Sequence, residues 1–318
     1  MLSGTFSNVT FTGRIKHYPD GSREVMACSK PWFRAPGWED RNPRPRRHSK
    51  PREGGGDIAR AVRRARAQVR DLALCNPFTH FVTLTLDQTQ VDRYDMAAIT
   101  RKLNAWLSNQ VQRRGLIYVL VPERHKDGAI HFHGFFNDVL DRVDSGTMIP
   151  PGGGKPRKPR SRAQRAAWEA DGGRVVWNLP GWSLGFTTAL ELVGEYSQAV
   201  NYVCKYIGKQ QDPGRAEDRR IAAQDQAQVQ PDKPGGRWYY SGGDLARPRV
   251  ELADLDPWEV RARPGARVIE VPEAGAVFVI WWDRGGKSSV YGTSKEVDII
   301  QETRPFDSFR KVNRTPGG

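Results

Sequence analysis

The chain has 318 residues, with 50 lysines and arginines against 36 acidic residues and a formal net charge of +14. That length exceeds what one core needs and predicts one main domain with extensions, while the charge, mostly arginine, points to a polyanionic partner whose phosphate oxygens match guanidinium forks. A membrane is excluded as partner, because no stretch is apolar and long enough to span a bilayer and no helical pattern pairs a basic face with a strongly apolar one.

The N-terminus, MLSGTFSNVTFTG, lacks a charged region followed by an apolar run, so no secretory signal is expected. Strand-like residues flank the turn Asp20-Gly21 in IKHYPDGSREVMACS and predict a hairpin. The following RNPRPRRHSKPREGGG has little to bury and reads as a basic arm. Residues 57–72, DIARAVRRARAQVRDL, read as a helix with arginines around much of its surface, either a solvated face or a DNA contact. In HFVTLTL, starting at His80, Val82, Leu84 and Leu86 alternate with Thr83 and Thr85, which predicts a strand. Residues 95–114 place Ile99, Leu103, Trp106, Leu107 and Val111 at helical spacing. LIYVLVPERH and AIHFHGFF read as strands around Lys126-Asp127-Gly128, followed by a polar gap and a basic loop at 151–167. RVVWNL and GFTTALEL predict two more strands, and EYSQAVNYVCKYIGKQ a helix ending before Asp212-Pro213. Residues 211–236 are linker-like, VIEVPEAGAVFVIWWDRGGKSSVYG reads as a β-meander, and the tail is expected to fray. Cys28, Cys75 and Cys204, without CxxC spacing, lead us to expect a reduced setting and no structural zinc.

The first chemical signal is His131-Phe132-His133, two imidazoles on one face if the segment is a strand. Alone, such a pair more often describes ordinary surface or core histidines. The preceding strand adds a third donor. With a three-residue loop over 126–128 and Gly128 left-handed, His125 pairs with Ala129, Glu123 with His131 and Val121 with His133, so Glu123 and His125 share the histidine face. A two-residue Asp-Gly loop would turn Glu123 to the other side. Two imidazoles and a carboxylate suit Mn²⁺ or Mg²⁺ acting as a Lewis acid, the histidines favouring Mn²⁺, with zinc still open. His125 is a fourth ligand, a neighbour or a DNA contact.

The second signal is YVCKYIGK at 202–209. On a helix, Tyr202 and Tyr206 stack at i and i+4, with Lys205 and Lys209 as an adjacent stripe. A phenol with pKa of about 10 is a poor nucleophile until a cation stabilises the phenolate. Aromatics at this spacing are, however, more often core residues, and Gly208 weakens the last turn.

Together these residues resemble the HUH endonuclease superfamily, specifically rolling-circle replication initiators of small plasmids and single-stranded DNA phages. FVTLTL at 81–86, PERHKDGAIHFHGFF at 122–136 and YVCKYIGK at 202–209 resemble its three motifs in order, covering about 75–210. Phe132 departs from the bulky aliphatic residue often found between the histidines. The resemblance implies an α+β fold: an antiparallel sheet of about five strands with the histidines on a central strand and flanking helices. It divides the chain into a basic N-terminal extension (1–56), a nicking domain (57–212) and a linker with a β-rich C-terminal region (213–318). It implies that Glu123, His131 and His133 hold a divalent cation, and that Tyr202 or Tyr206 attacks the scissile phosphate of single-stranded origin DNA, leaving a 3′-hydroxyl primer. Lys205, then Lys209, would stabilise phosphate or phenolate. The two tyrosines would alternate between initiation and termination, in the cytoplasm of a bacterial host, with a host helicase and polymerase as partners. The basic segments would track the DNA backbone, and Trp177, Trp182 and Tyr239 would stack on bases or pack in the core. The rivals are an HUH relaxase or transposase and a non-catalytic nucleic-acid-binding protein. The tyrosine face is expected to meet the histidine face of the sheet.

Overall fold

The computed structural model describes residues 10–34, 55–124, 127–193, 196–207 and 237–284, and these form two units. In the first unit, residues 10–34 combine with residues 247–284. Strands β1 (Thr10–Phe11), β2 (Gly13–His17), β3 (Arg23–Cys28) and β4 (Phe33–Arg34) come from the first segment. The second segment supplies β12 (Arg249–Ala253), β13 (Arg267–Val271) and β14 (Ala276–Asp283). The expected hairpin around Gly21 forms, and so does the turn at Gly275 between β13 and β14. The five long strands make an antiparallel sheet in the order β12-β2-β3-β14-β13. One face buries Val25, Ala27 and Val279 against Val260 of a short helix, Pro257–Arg261.

The second unit holds the residues singled out above. Its elements are α1 (Gly55–Cys75), β5 (His80–Leu86), α2 (Met96–Arg114), β6 (Tyr118–Arg124), β7 (Ile130–Phe136), β8 (Val143–Ile149), α3 (Arg162–Ala170), β9 (Arg174–Asn178), β10 (Gly185–Glu191), α4 (Tyr196–Tyr206) and β11 (Tyr240–Gly242). The strands form one antiparallel sheet in the order β11-β6-β7-β5-β10-β9-β8, so the histidine strand β7 is interior. The sheet has seven strands instead of about five. One of the additional strands, β8, comes from the segment read as a polar gap. Only its last three residues are buried, so it carries no alternating pattern to read.

The two faces of this sheet bury different cores. Alternation puts Val82, Leu84, Leu120, Ile130 and Phe132 on one face, against Ile99, Leu103, Trp106 and Leu107 of α2. Phe132 is fully buried there, so its bulk leaves the histidine side untouched. Asp95 caps α2 by accepting from the Ala97 and Ala98 amides, and Gly115 ends it in the left-handed region. The opposite face carries Phe81, Val119, Val121 and Phe135. It packs against Val62, Ala65, Val69 and Leu72 of α1 and against Val200, Val203 and Tyr206 of α4. Arg60, Arg63 and Arg64 lie on the exposed side of α1.

The basic loop expected at 151–167 is helical in its second half. Ser161 caps α3 by accepting from the Gln164 amide at 3.1 Å, and the Gln164 side chain accepts from the Arg160 amide at 2.6 Å. The Ser161 cap is a helix start that proline and glycine nearby obscure. Part of the arm at 41–56, His125, Lys126, residues 208–236 with Lys209 and Gly208, and the chain beyond 284 lie outside the described residues. Among the described residues no helix is long and apolar enough to cross a membrane.

Candidate metal and nucleophile site

The β6–β7 register puts Glu123 opposite His131, Val121 opposite His133 and Arg124 opposite Ile130. Gly128 adopts φ 83°, the left-handed conformation that a three-residue loop requires. Glu123, His131 and His133 therefore share one face of the sheet. Glu123 Oε2 lies 2.8 Å from His133 Nε2, with the two side chains 12% and 6% exposed. On the other flank, β5 sets Thr83 opposite His133 and Thr85 opposite His131. The Thr83 hydroxyl is 3.0 Å from His133 Nδ1, and the Thr85 hydroxyl is 3.2 Å from His131 Nδ1. His131 and Thr85 are half-buried, so the group opens to solvent at that end.

The tyrosine helix meets this face directly. The Tyr206 ring stacks on the His133 imidazole, with centroids 4.5 Å apart and planes within 17°. Tyr202 sits edge-on to both Tyr206, at 5.1 Å, and Phe81, at 5.7 Å. The Tyr206 hydroxyl donates to the Tyr202 hydroxyl. Tyr206 is 7% exposed, whereas Tyr202 is half-buried. Lys205 lies on the exposed side of α4.

Two contacts with α1 fix the helix at its ends. The Tyr196 hydroxyl donates to the Ala73 carbonyl at 2.8 Å, and Arg66 Nε donates to the Ile207 carbonyl at 3.0 Å. The second contact satisfies a carbonyl that a helix end leaves without an internal partner. Between them, the Cys204 thiol donates to the Arg66 carbonyl at 3.7 Å, and burial pushes that thiol up to about 11 against the smaller opposing pull of Arg70 and Arg66. Burial likewise raises the Tyr196 phenol. All three cysteines are buried and none of them forms a disulfide.

Among the described residues no three His, Cys, Asp or Glu side chains converge tightly enough to hold a metal ion as they stand. Glu123 and His133 are in contact, and His131 stands beside them on the same face. Two donors in cis positions on an octahedral cation at about 2.1 Å lie about 3.0 Å apart, close to the Glu123–His133 spacing. Directly opposed residues have Cβ atoms about 4.5–5.5 Å apart, so side-chain rotation can bring His131 to the same point. The donor set fits a hard or borderline divalent cation.

Of the aromatic candidates, Trp182 is a core residue. It meets Trp106 edge-on at 5.1 Å and donates from Nε1 to the Thr85 carbonyl at 3.2 Å. Trp177 is partly buried, with the Arg142 guanidinium over its ring, and Tyr239 donates to Gln68 Oε1 at 3.0 Å. Sequence reasoning assigned no role to Thr83, Thr85 or Arg66. The two threonines had a readable signal, polar side chains alternating on the strand that precedes the histidine hairpin. Arg66 had none among its neighbouring arginines.

No curated protein matches the chain, and no solved structure does. Residues 79–211 match the model of a replication-associated protein family, the one described by the name ORF2. That segment contains β5, the β6–β7 hairpin and α4, which together build the group just described. The match supports a replication-associated protein of the initiator kind.

Proposed function

We propose that this chain is a replication initiator of the HUH type, which nicks and rejoins single-stranded origin DNA through a tyrosine. The observation that carries this reading is the Tyr206 ring stacked on His133, which itself contacts Glu123. One phosphate can then reach a tyrosine hydroxyl and the histidine–carboxylate face together. A core-only role for the tyrosines gives no reason for a hydroxyl pair beside an imidazole and a carboxylate.

Glu123, His131 and His133 would hold the divalent cation, Mn²⁺ or Mg²⁺, which when bound supplies Lewis-acid polarisation of the scissile phosphate. The chain's own residues do the rest. Tyr202 is the first nucleophile, because it is the more exposed of the pair and its oxygen accepts a hydrogen bond from Tyr206, which suits a phenolate. Its phenol gives up a proton as its oxygen forms a bond to phosphorus, the bond from phosphorus to the 3′-oxygen breaks, and the departing oxygen takes up one proton, so the step releases none overall. The result is a 5′-phosphotyrosine and a free 3′-hydroxyl primer. Tyr206 keeps its proton while Tyr202 attacks and serves as the nucleophile of the second transfer. Lys205, on the exposed side of α4, meets incoming phosphate. Arg66 holds the end of the helix that carries both tyrosines.

The test is incubation of the full chain with single-stranded origin DNA and Mn²⁺ or Mg²⁺. A covalent adduct that chelator abolishes, and that the Tyr202→Phe, Tyr206→Phe double variant cannot form, is the expected result. An adduct that persists in the double variant sinks the tyrosine mechanism.

A further inference from the structure

We propose that Thr83 and Thr85 are positioning residues. Each holds Nδ1 of the imidazole opposite it, so that Nε2 of His133 and His131 is presented to a shared divalent cation. The inference rests on the metal reading of this face given above.

The two contacts are successive rungs of one ladder. Thr83 pairs with His133 and Thr85 with His131 in the β5–β7 register, and both hydroxyls meet Nδ1. A ring held at Nδ1 from the β5 side turns Nε2 away from β5. For His133, Nε2 meets Glu123 on β6, the third proposed ligand. Thr83 is 4% exposed, and a buried hydroxyl without a partner would cost about 1–3 kcal/mol. Its hydrogen bond to the ring is therefore a constraint and not an incidental surface contact.

Threonine suits this position for a chemical reason. A hydroxyl both donates and accepts, whereas a backbone carbonyl only accepts. When Nε2–H donates to Glu123, the Thr83 hydroxyl donates to Nδ1. When the Nε2 lone pair serves a cation, the proton sits on Nδ1 and donates to Thr83 Oγ1. The ring points the same way in both cases, so binding requires no imidazole reorientation. A hydrogen bond at the non-ligating nitrogen also fixes which tautomer meets the metal.

The experiment is a Mn²⁺ titration of the full chain, read by the electron paramagnetic resonance of free Mn²⁺. It compares the parent with Thr83→Val, Thr85→Val, Thr83→Ser and Thr85→Ser. Long-range ¹H–¹⁵N spectra of the histidine rings are recorded alongside with Mg²⁺. Each valine variant, nearly isosteric, is expected to weaken Mn²⁺ binding about tenfold, and each serine variant to stay within about threefold of the parent. The Mg²⁺-loaded parent should show both rings protonated on Nδ1, and the valine variants should lose that single pattern at the ring they face. Parental affinity in both valine variants with unchanged ring spectra overturns the inference and leaves the metal reading standing. Equal weakening in serine and valine variants also overturns it, because packing and not the hydroxyl would then be responsible. Absence of Mn²⁺ and Mg²⁺ binding by the parent overturns the metal reading itself and this inference with it.

Discussion

Replacing Gly134 with alanine perturbs the sheet beside the candidate site residues. Gly134 lies on β7, opposite Leu120 of β6 and Val82 of β5. A Cβ there would stand 1.9 Å from the Val119 carbonyl oxygen and 2.8 Å from the Leu120 Cα, whereas real Cβ contacts essentially never fall under 3.0 Å. A methyl group on the backbone has no rotamer to escape into, so the strands must part by about 1 Å. Overpacking of this kind costs about 1–3 kcal/mol. Loss of two ladder hydrogen bonds at about 1 kcal/mol each brings the sum to roughly 3–5 kcal/mol. At about 2–4 °C per kcal/mol for a unit of this size, the melting temperature should fall by about 10 °C. The displaced strand is the one that carries Glu123, so Mn²⁺ affinity should fall as well. Thermal denaturation of the full chain followed by circular dichroism reads the effect. A melting temperature within about 2 °C of the parent would refute the packing argument.

Single tyrosine variants should separate the two hydroxyls. Tyr202→Phe is expected to abolish the first cleavage, while Tyr206→Phe should cleave more slowly and fail in the second transfer; a gel assay with labelled single strands reads both steps. Replacing the exposed Arg60, Arg63 and Arg64 with glutamine should weaken single-strand binding. Each lost phosphate contact should also reduce the salt slope of log affinity by about 0.7, and an unchanged slope means the helix does not touch DNA. Cys204 should make stability sensitive to alkali. Its thiol is held near about 11 in the fold against an ordinary value of 9.0, so its contribution is complete below that lower value and is lost as pH rises through about 11. Denaturant melts from about pH 8 to about pH 11 should show this decline, and Cys204→Ala should flatten it.

The placement of the candidate site residues was more legible in the sequence than the fold around them. Loop chemistry narrowed the β6–β7 register to two, a three-residue loop or a two-residue Asp-Gly loop, and the observed pairing of Glu123 with His131 is that of the three-residue loop. The pairing of Tyr202 with Tyr206 followed from helical spacing in the same way. Both are local rules. The long-range arrangements were not legible. The N-terminal strands β2 and β3 pair with β12 and β14, more than 200 residues away, and nothing in either segment names its partner. The edge strand β8 lacks alternation because exposure falls steadily along it, from two exposed residues at its start to three buried ones at its end, and α3 begins in a segment rich in proline and glycine. Arg66 is one of several arginines on α1, and only the tertiary position of Ile207 distinguishes it. The threonines of β5 were read as strand formers. Their partners became visible only once the β5–β7 register was known, since that pairing joins residues 50 and 46 positions apart.

The most direct test of the central claim is to isolate the protein–DNA adduct formed on single-stranded origin DNA with Mn²⁺, digest it, and locate the linkage by mass spectrometry. The tyrosine mechanism predicts a 5′-phosphate ester on Tyr202, or on Tyr206 after the second transfer, with an extendable 3′-hydroxyl on the released strand. A linkage to any other residue, or cleavage with no covalent bond to the protein, would contradict it.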